Sequence, residues 1–162
     1  MHPDEYNDEY PTCERTWSTL NIYLDLKYPE DITELFGIEP TKTFRRGDRR
    51  RPDRDTVYKF SGWFLSSKGL LESRDCRRHI DWILDRIHPA KEQLRSLAPD
   101  EETRITIVSY WEGKYGHGGP MLHPYQMYKM GSLGIDCGFD IYPSEKQNKE
   151  SEANVGTAEI DS

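Results

Sequence analysis

Apolar and polar residues alternate from Trp17 to Leu26, with Leu20, Ile22, Leu24 and Leu26 on one side and Thr19, Asn21, Tyr23 and Asp25 on the other. Period-2 alternation predicts a half-buried strand. Pro29, Glu30 and Asp31 suit the first turn of a helix, Ile32, Leu35 and Phe36 form its apolar stripe, and Gly37 suits its exit. That helix is short, about two turns. Residues 40–46 read as a strand, and residues 57–67 as another, with Tyr58, Phe60 and Phe64 on one face and Val57, Trp63 and Leu65 on the other, covered on both sides.

The longest helical period starts behind Ser73 and Asp75 and places Cys76, Ile80, Ile83, Leu84, Ile87, Ala90, Leu94 and Leu97 on one stripe, ending about Ala98. Pro89 lies inside it. A regular interior proline costs about 3 kcal/mol, less than the burial of its Ile and Leu residues at roughly 1.5–3 kcal/mol each. The pattern therefore predicts a kink near residues 85–89 rather than a stop. Residues 103–111 alternate again, with Ile105, Ile107 and Trp111 against Thr106, Val108 and Tyr110. A helix opened by Pro124 leaves near Gly134, and residues 135–142 set Ile135, Cys137, Phe139 and Ile141 against Asp136, Gly138, Asp140 and Tyr142.

Two strand-helix-strand units share a proline start and a glycine exit, Leu35-Phe36-Gly37-Ile38 and Leu133-Gly134-Ile135. The order β-α-β-β-α-β-α-β predicts an α+β fold: a ferredoxin-like antiparallel or mixed sheet of about five strands, with one long and two short helices on one face.

Composition refines the boundaries. The chain has 162 residues, 35% hydrophobic and 12% aromatic, enough for one core. Its net charge of −7 is confined to the ends: residues 1–12 carry −4 and residues 144–162 carry −3, so residues 13–143 are neutral. The division expected is a flexible acidic N-terminal tail over 1–14, a single domain over 15–143, and a disordered acidic C-terminal tail over 144–162. No run of 18 apolar residues and no secretory pattern occurs at Met1–Glu5, so a cytoplasmic protein is expected, with no membrane partner. Cys13, Cys76 and Cys137 stand far apart without a CxxC pair and read as free thiols rather than a disulfide or zinc framework.

Candidate chemistry centres on the segment Tyr110-Trp111-Glu112-Gly113-Lys114-Tyr115-Gly116-His117-Gly118-Gly119-Pro120. Its glycine density implies positive φ or close backbone approach, and it is longer than joining two elements requires. His117 and Glu112, with His123 nearby, are candidates for acid-base work, and Gly116, Gly118 and Gly119 for an anion nest. No metal-ligand spacing, phosphate loop or nucleophile elbow accompanies them, so neither metal nor cofactor is expected. The loop from Arg45 to Asp55 holds six arginines, Arg45 and Arg46 among them, and three aspartates. The interleaved aspartates weaken its field, which argues against nucleic acid. On the polar sheet face, Asn21, Tyr23 and Asp25 should share a side with Asp136, Asp140 and Tyr142, joined by Tyr110, as a binding groove or a homodimer seam. The four tryptophans fall on separate elements and read as core or rim aromatics.

Several blocks in one order resemble a known family: Thr16-Trp17; Ile32-Thr33-Glu34-Leu35-Phe36-Gly37-Ile38-Glu39-Pro40-Thr41 with Arg46-Gly47-Asp48; Gly62-Trp63 before Leu65-Ser66-Ser67; His79 to Leu84; Gly116 to Pro120; and Gly134-Ile135-Asp136 with Phe139-Asp140-Ile141-Tyr142. Over residues 15–143 this is similar to the mostly bacterial, uncharacterised domain of unknown function 4279. The resemblance implies a small α+β domain and brings no activity, cofactor or catalytic residue. The expectation is a non-enzymatic protein-interaction or ligand-binding domain, accessory or immunity-like, whose partner is another protein or a small polar ligand. The alternative is a small enzyme centred on His117 and nearby carboxylates.

Overall fold

The structure is a computed structural model and describes residues 5–143. The expectations for residues 1–4 and for the C-terminal segment 144–162 lie outside the described residues. The strands are β1 (Cys13–Leu24), β2 (Lys42–Phe44), β3 (Arg49–Arg51), β4 (Arg54–Val57), β5 (Ser61–Ser66), β6 (Thr103–Gly113) and β7 (Asp136–Tyr142). The helices are α1 (Pro29–Phe36), α2 (Cys76–Ile87), α3 (Lys91–Leu97) and α4 (Pro124–Ser132). Five strands form one mixed sheet in the order β2-β5-β1-β6-β7, and β3 and β4 form a separate hairpin. The fold is α+β.

Both strand-helix-strand units carry the same local chemistry. Pro29 and Pro124 open their helices, and in each case the third helical residue reaches back to the cap: Tyr28 N donates to Asp31 Oδ2 at 2.8 Å and His123 N to Gln126 Oε1 at 3.2 Å. Gly37 and Gly134 follow with φ of 64° and 70°. The units diverge at the sheet. β5 pairs antiparallel with both β1 and β2, so β1-α1-β2 is a split unit, whereas β6 and β7 are direct parallel neighbours. Only the first is split in the ferredoxin-like manner.

The core lies between one sheet face and the helices. Leu20, Ile22, Leu24, Trp63, Leu65, Ile105 and Ile107 meet Ile32 and Phe36 of α1, the apolar stripe of α2 and α3, and Met130 of α4. The expected long helix is interrupted: a 3-10 turn at His88–Ala90 separates α2 from α3. Pro89 has no N–H to donate and its ring excludes the carbonyl one turn back, so the chain tightens there. The buried stripe continues through the break, with Ile87, Ala90 and Leu94 all at or near zero exposure.

Three other expectations change. The strand expected over 57–67 is split, because residues up to Val57 belong to the hairpin; Val57 is exposed. Leu26 lies beyond the end of β1 and is exposed rather than buried. The clean alternation of β7 does not mark a buried face: Phe139, Ile141 and Cys137 align with core-facing positions of β6, yet all three are exposed. β7 is an edge strand, and its helix-side face reaches past the cover given by α4.

Of the stretch expected to be a flexible acidic tail, residues 6–9 are laid against the start of α2 and residues 10–12 against β6 and the glycine loop. Tyr6 Oη donates to Asp81 Oδ2 at 2.9 Å, Asn7 N to Asp75 Oδ2 at 2.9 Å, and Asp8 pairs with Arg78 at 2.7 Å. Glu9 pairs with Arg74, and the Tyr10 ring meets Trp111 edge-on at 5.2 Å. The acidity of this segment is thus answered by the arginines of residues 74–78.

A buried polar chain runs from the sheet into α2. Ser109 and Ser18 share a hydroxyl hydrogen bond of 2.7 Å, Ser18 N donates to Ser67 Oγ at 3.0 Å, and Ser67 lies 2.8 Å from His79 Nδ1. His79 Nε2 lies 2.8 Å from the Ser73 carbonyl, so Nε2 carries the proton and Nδ1 accepts from Ser67. Burial lowers the His79 pKa below its ordinary value. The unfolded imidazole, near 6.5, therefore binds a proton before the folded one does, so this contribution is complete above about pH 6.5 and is lost as pH falls below it. The melting temperature should drop between pH 7.5 and 5, and His79→Gln, less stable at pH 7.5, should show a shallower drop; parallel curves would remove His79 as the cause.

Candidate functional site

Among the described residues, four helices pack on one face of the sheet and leave the other open. Strand register decides what that face carries. Asn21 stands between Phe64 of β5 and Thr106 of β6, Thr106 beside Asp136 of β7, and Lys42 of β2 beside Phe64. The next row is Ser66, Thr19, Val108 and Gly138, and the next Trp17, Tyr110 and Asp140. On β5 and β1 the small side chains Ser66 and Thr19 thus lie between the Phe64 and Trp17 rings, forming a furrow.

One wall is a stack of rings. Trp17 and Tyr110 lie 3.9 Å apart with planes 8° from parallel, and Tyr142 continues the stack 5.1 Å from Tyr110. Lys68 Nζ lies 4.4 Å from the Trp17 ring centroid, on a surface position. At the far end, Arg15 pairs with Glu112, which also accepts from Tyr110 Oη at 3.1 Å; these partners make Glu112 a buried carboxylate. The opposite wall is Phe64 with Tyr23 edge-on at 5.4 Å, Phe60 edge-on to Tyr23 at 5.3 Å, and Arg104 at 5.0 Å over Phe60. Burial raises the Tyr23 pKa, so it is a neutral hydroxyl at physiological pH.

The β5 end of the furrow opens into a cavity of about 400 Å³ lined by Trp17, Thr19, Thr41, Lys42, Phe64, Ser66, Lys68 and Leu70. Thr19 and Ser66 hydroxyls bond each other at 2.8 Å, and Thr41 Oγ1 accepts from Ser66 N at 3.0 Å, so the polar floor is fixed. Among the described residues no carboxylate lines it. Beyond Phe64, the Phe44 ring lies over Gly62, where a Cβ would come within 2.3 Å of it; only glycine admits this ring. Phe44 meets Phe64 edge-on at 5.3 Å and stacks on Tyr58 at 3.9 Å. Tyr58 in turn lines a second cavity, of about 420 Å³, with Arg50, Arg51, Arg54 and Thr56.

The structure distributes the residues singled out from the sequence among several places. Tyr23, Tyr110, Asp136, Asp140 and Glu112 share the open face. Asp25 follows β1, its N–H donating to Glu102 O at 2.9 Å and its carbonyl accepting from Arg46 Nη1 at 3.1 Å. Arg45 pairs with Glu30 at 2.9 Å. Trp111 points into the interior with Cys13 and Cys76, whose thiols burial pushes up to about 12. His117 is exposed and stacks on Tyr115 at 5.8 Å, while Glu112 is engaged by Arg15 and Tyr110, so the two have separate partners. His123 caps α4 and contacts Arg77 Nη1. Gly118 has φ of 91°, and a Cβ there would meet Thr12 at 2.6 Å; Tyr10 Oη reaches the Gly119 carbonyl at 3.4 Å, and Gly116 is exposed beside them. The glycine loop is shaped to the N-terminal segment it touches. Among the described residues no group of three His, Cys, Asp or Glu is placed to hold a metal ion, and no helix is long and apolar enough to cross a membrane.

Sequence reasoning missed Trp17, Lys42, Phe64 and Lys68. Parity along β1 extends from Tyr23 and Asn21 to Thr19 and Trp17, so Trp17 was within reach; Phe64 joins only through the β1-β5 register.

A family model described as a domain of unknown function, DUF4279, matches residues 14–144. No curated protein and no solved structure matches the chain.

Proposed function

The chain belongs to the DUF4279 family, which is defined without an activity, and from the geometry of its own residues we propose that it is a non-enzymatic, cytoplasmic binding domain whose recognition surface is the open face of the sheet. The observation that carries this reading is the furrow between the Trp17-Tyr110-Tyr142 stack and Phe64, ending in a cavity flanked by Lys42 and Lys68. A rigid sheet holding aromatic walls, fixed hydroxyls and a few charges is the usual composition of a preformed pocket. The surface suits a partner that offers a planar or apolar body and an anionic group. An accessory or immunity-like role fits a surface that binds without reacting.

The competing reading, a site at His117, is separated from this one by a pair of variants. Small aromatic carboxylates and phosphates screened by thermal shift and by amide chemical shifts should perturb β1, β5 and β6. Trp17→Ala should abolish the ligand-dependent shift while moving the unliganded melting temperature by only a few degrees, and His117→Ala should leave the shift intact. The reverse outcome replaces the open face by the glycine loop.

A further inference from the structure

We infer that the open face takes single-stranded nucleic acid, its bases entering at Trp17 and Tyr58 and its phosphates meeting Lys42, Lys68 and the hairpin arginines Arg50, Arg51 and Arg54. The inference rests on the open face being the recognition surface and names its ligand. Three observations carry it.

The first is spatial sorting of charge. Along the chain, aspartates interleave with the arginines of residues 45–55, and that interleaving argued against nucleic acid. In space two of the three aspartates have partners that do not line the cavity. Asp48 Oδ2 accepts from Arg45 N at 2.9 Å, and Asp55 pairs with Arg49 at 3.5 Å. Pro52 and Asp53 fall between the hairpin strands, where Arg51 pairs with Arg54. The second cavity is then lined by three arginines, a threonine and a tyrosine, with no carboxylate. The first is flanked by two lysines, again with no carboxylate. Two anion-attracting cavities on one surface suit a ligand with repeated negative charge.

The second is continuity. Phe64 lines the first cavity and Tyr58 the second, and the Phe44 ring touches both. Rings in contact therefore link the two cavities through the buried Phe44 and set them side by side, within reach of one strand of linked planar groups.

The third distinguishes a nucleic acid from an acidic peptide. At each end a ring packed on one side by another ring has an exposed, flexible cation over it: Lys68 over Trp17 at 4.4 Å, and Arg50 over Tyr58 at 5.4 Å. A base can take the place over the ring while the cation swings to the adjoining phosphate, exchanging one π contact for a stack and a charge pair. An acidic peptide without aromatic side chains uses the cations and leaves the rings idle.

The test is fluorescence anisotropy of the full chain with a labelled 10-nucleotide oligo-dT and its RNA counterpart, at about 50 to 200 mM salt, with tryptophan emission followed in parallel. Binding should weaken with salt with a log-log slope of about −2 to −3.5, since three to five neutralised phosphates of a single strand contribute about −0.7 each. Tryptophan emission should be quenched. Lys42→Gln/Lys68→Gln and Arg50→Gln/Arg51→Gln/Arg54→Gln, all at exposed positions, should each weaken binding roughly tenfold or more and flatten the slope by about one to two, with unchanged melting temperatures. Trp17→Leu should abolish the quenching and weaken binding with little change in slope. The proposal is overturned by no binding at 50 mM salt, by equal binding of base-free dextran sulfate without quenching, or by equal competition from a peptide of residues 144–162. If oligonucleotides fail while small ligands still perturb β1 and β5, only the ligand assignment falls; if both fail, the open face itself is wrong.

Discussion

Asp75→Ala is expected to cost about 3–5 kcal/mol, the range for leaving one member of a buried ion pair without its partner, and to lower the melting temperature by on the order of 10–20 °C. Asp75 and Arg77 are 1% and 2% exposed in their side chains. The carboxylate caps α2 through Arg77 N at 3.1 Å, binds Arg77 Nε at 2.9 Å, and accepts Asn7 N at 2.9 Å. Burial opposes its charge, but the hydrogen bonds from Arg77 and Asn7 outweigh burial and hold its pKa below the ordinary carboxylate value. Removing it takes the buried carboxylate away from the Arg77 guanidinium, uncaps the helix, and releases the N-terminal segment that Asn7 anchors. Arg77→Ala should cost a similar amount, because it strands the carboxylate instead. The double variant should then cost well under the sum of the two, and strict additivity, or a single-variant loss below about 1 kcal/mol, would show that the pair is not coupled. Because a carboxylate with a lowered pKa stabilises only above its unfolded value near 3.8, the difference between wild type and Asp75→Ala should shrink as pH falls through the folded pKa.

That pair also marks where the sequence stopped being legible. A helix start near Ser73 and Asp75 was readable, because helix starts have a local chemistry, with Ser73 expected as the cap and Asp75 in the first turn; the cap is Asp75 itself, and its partnership with Arg77 and Asn7 depends on residues 5–12 folding back, for which local periodicity carries no signal. The same division runs through the fold. Leu20, Ile22 and Leu24 faced the core as their alternation required, and the two proline-started helices formed, since both features are decided within a few residues. The exposed Phe139 and Ile141 show the limit of alternation: it reports which residues share a face, and only the sheet order reveals that β7 is an edge. The furrow was half visible. Tyr23 and Tyr110 were assigned to one face from parity, whereas the row of Ser66, Thr19, Val108 and Gly138 exists only once β5, β1, β6 and β7 are in register. The glycine loop drew attention for a sound reason, since Gly118 does need its positive φ and its close approach, but the approach is to Thr12.

Trp63→Ala should cost about 3–5 kcal/mol, the usual range for emptying a buried aromatic site, whereas Trp17→Ala should cost no more than roughly 1.5 kcal/mol, mainly the stacking with Tyr110. Periodicity alone read both as core or rim aromatics; the sheet puts them on opposite faces. Trp63 is fully buried, meets Phe36 of α1 edge-on at 5.6 Å, and donates from Nε1 to Thr33 Oγ1 at 3.0 Å. Its loss opens a cavity under α1 and leaves the Thr33 hydroxyl without that partner, and the short helix cannot follow inward without pulling Ile32 and Phe36 from the core. The flanking Gly62 and Phe64 point the other way, into the aromatic path of the open face. Trp63→Ala should therefore unfold at much lower denaturant yet, kept well below its transition, retain the tryptophan quenching on binding that arises at Trp17. Trp17→Ala should do the opposite: fold nearly as well as wild type and lose the signal. Equal destabilisation by the two variants would mean that Trp17 is a structural residue, and the furrow would lose its recognition role.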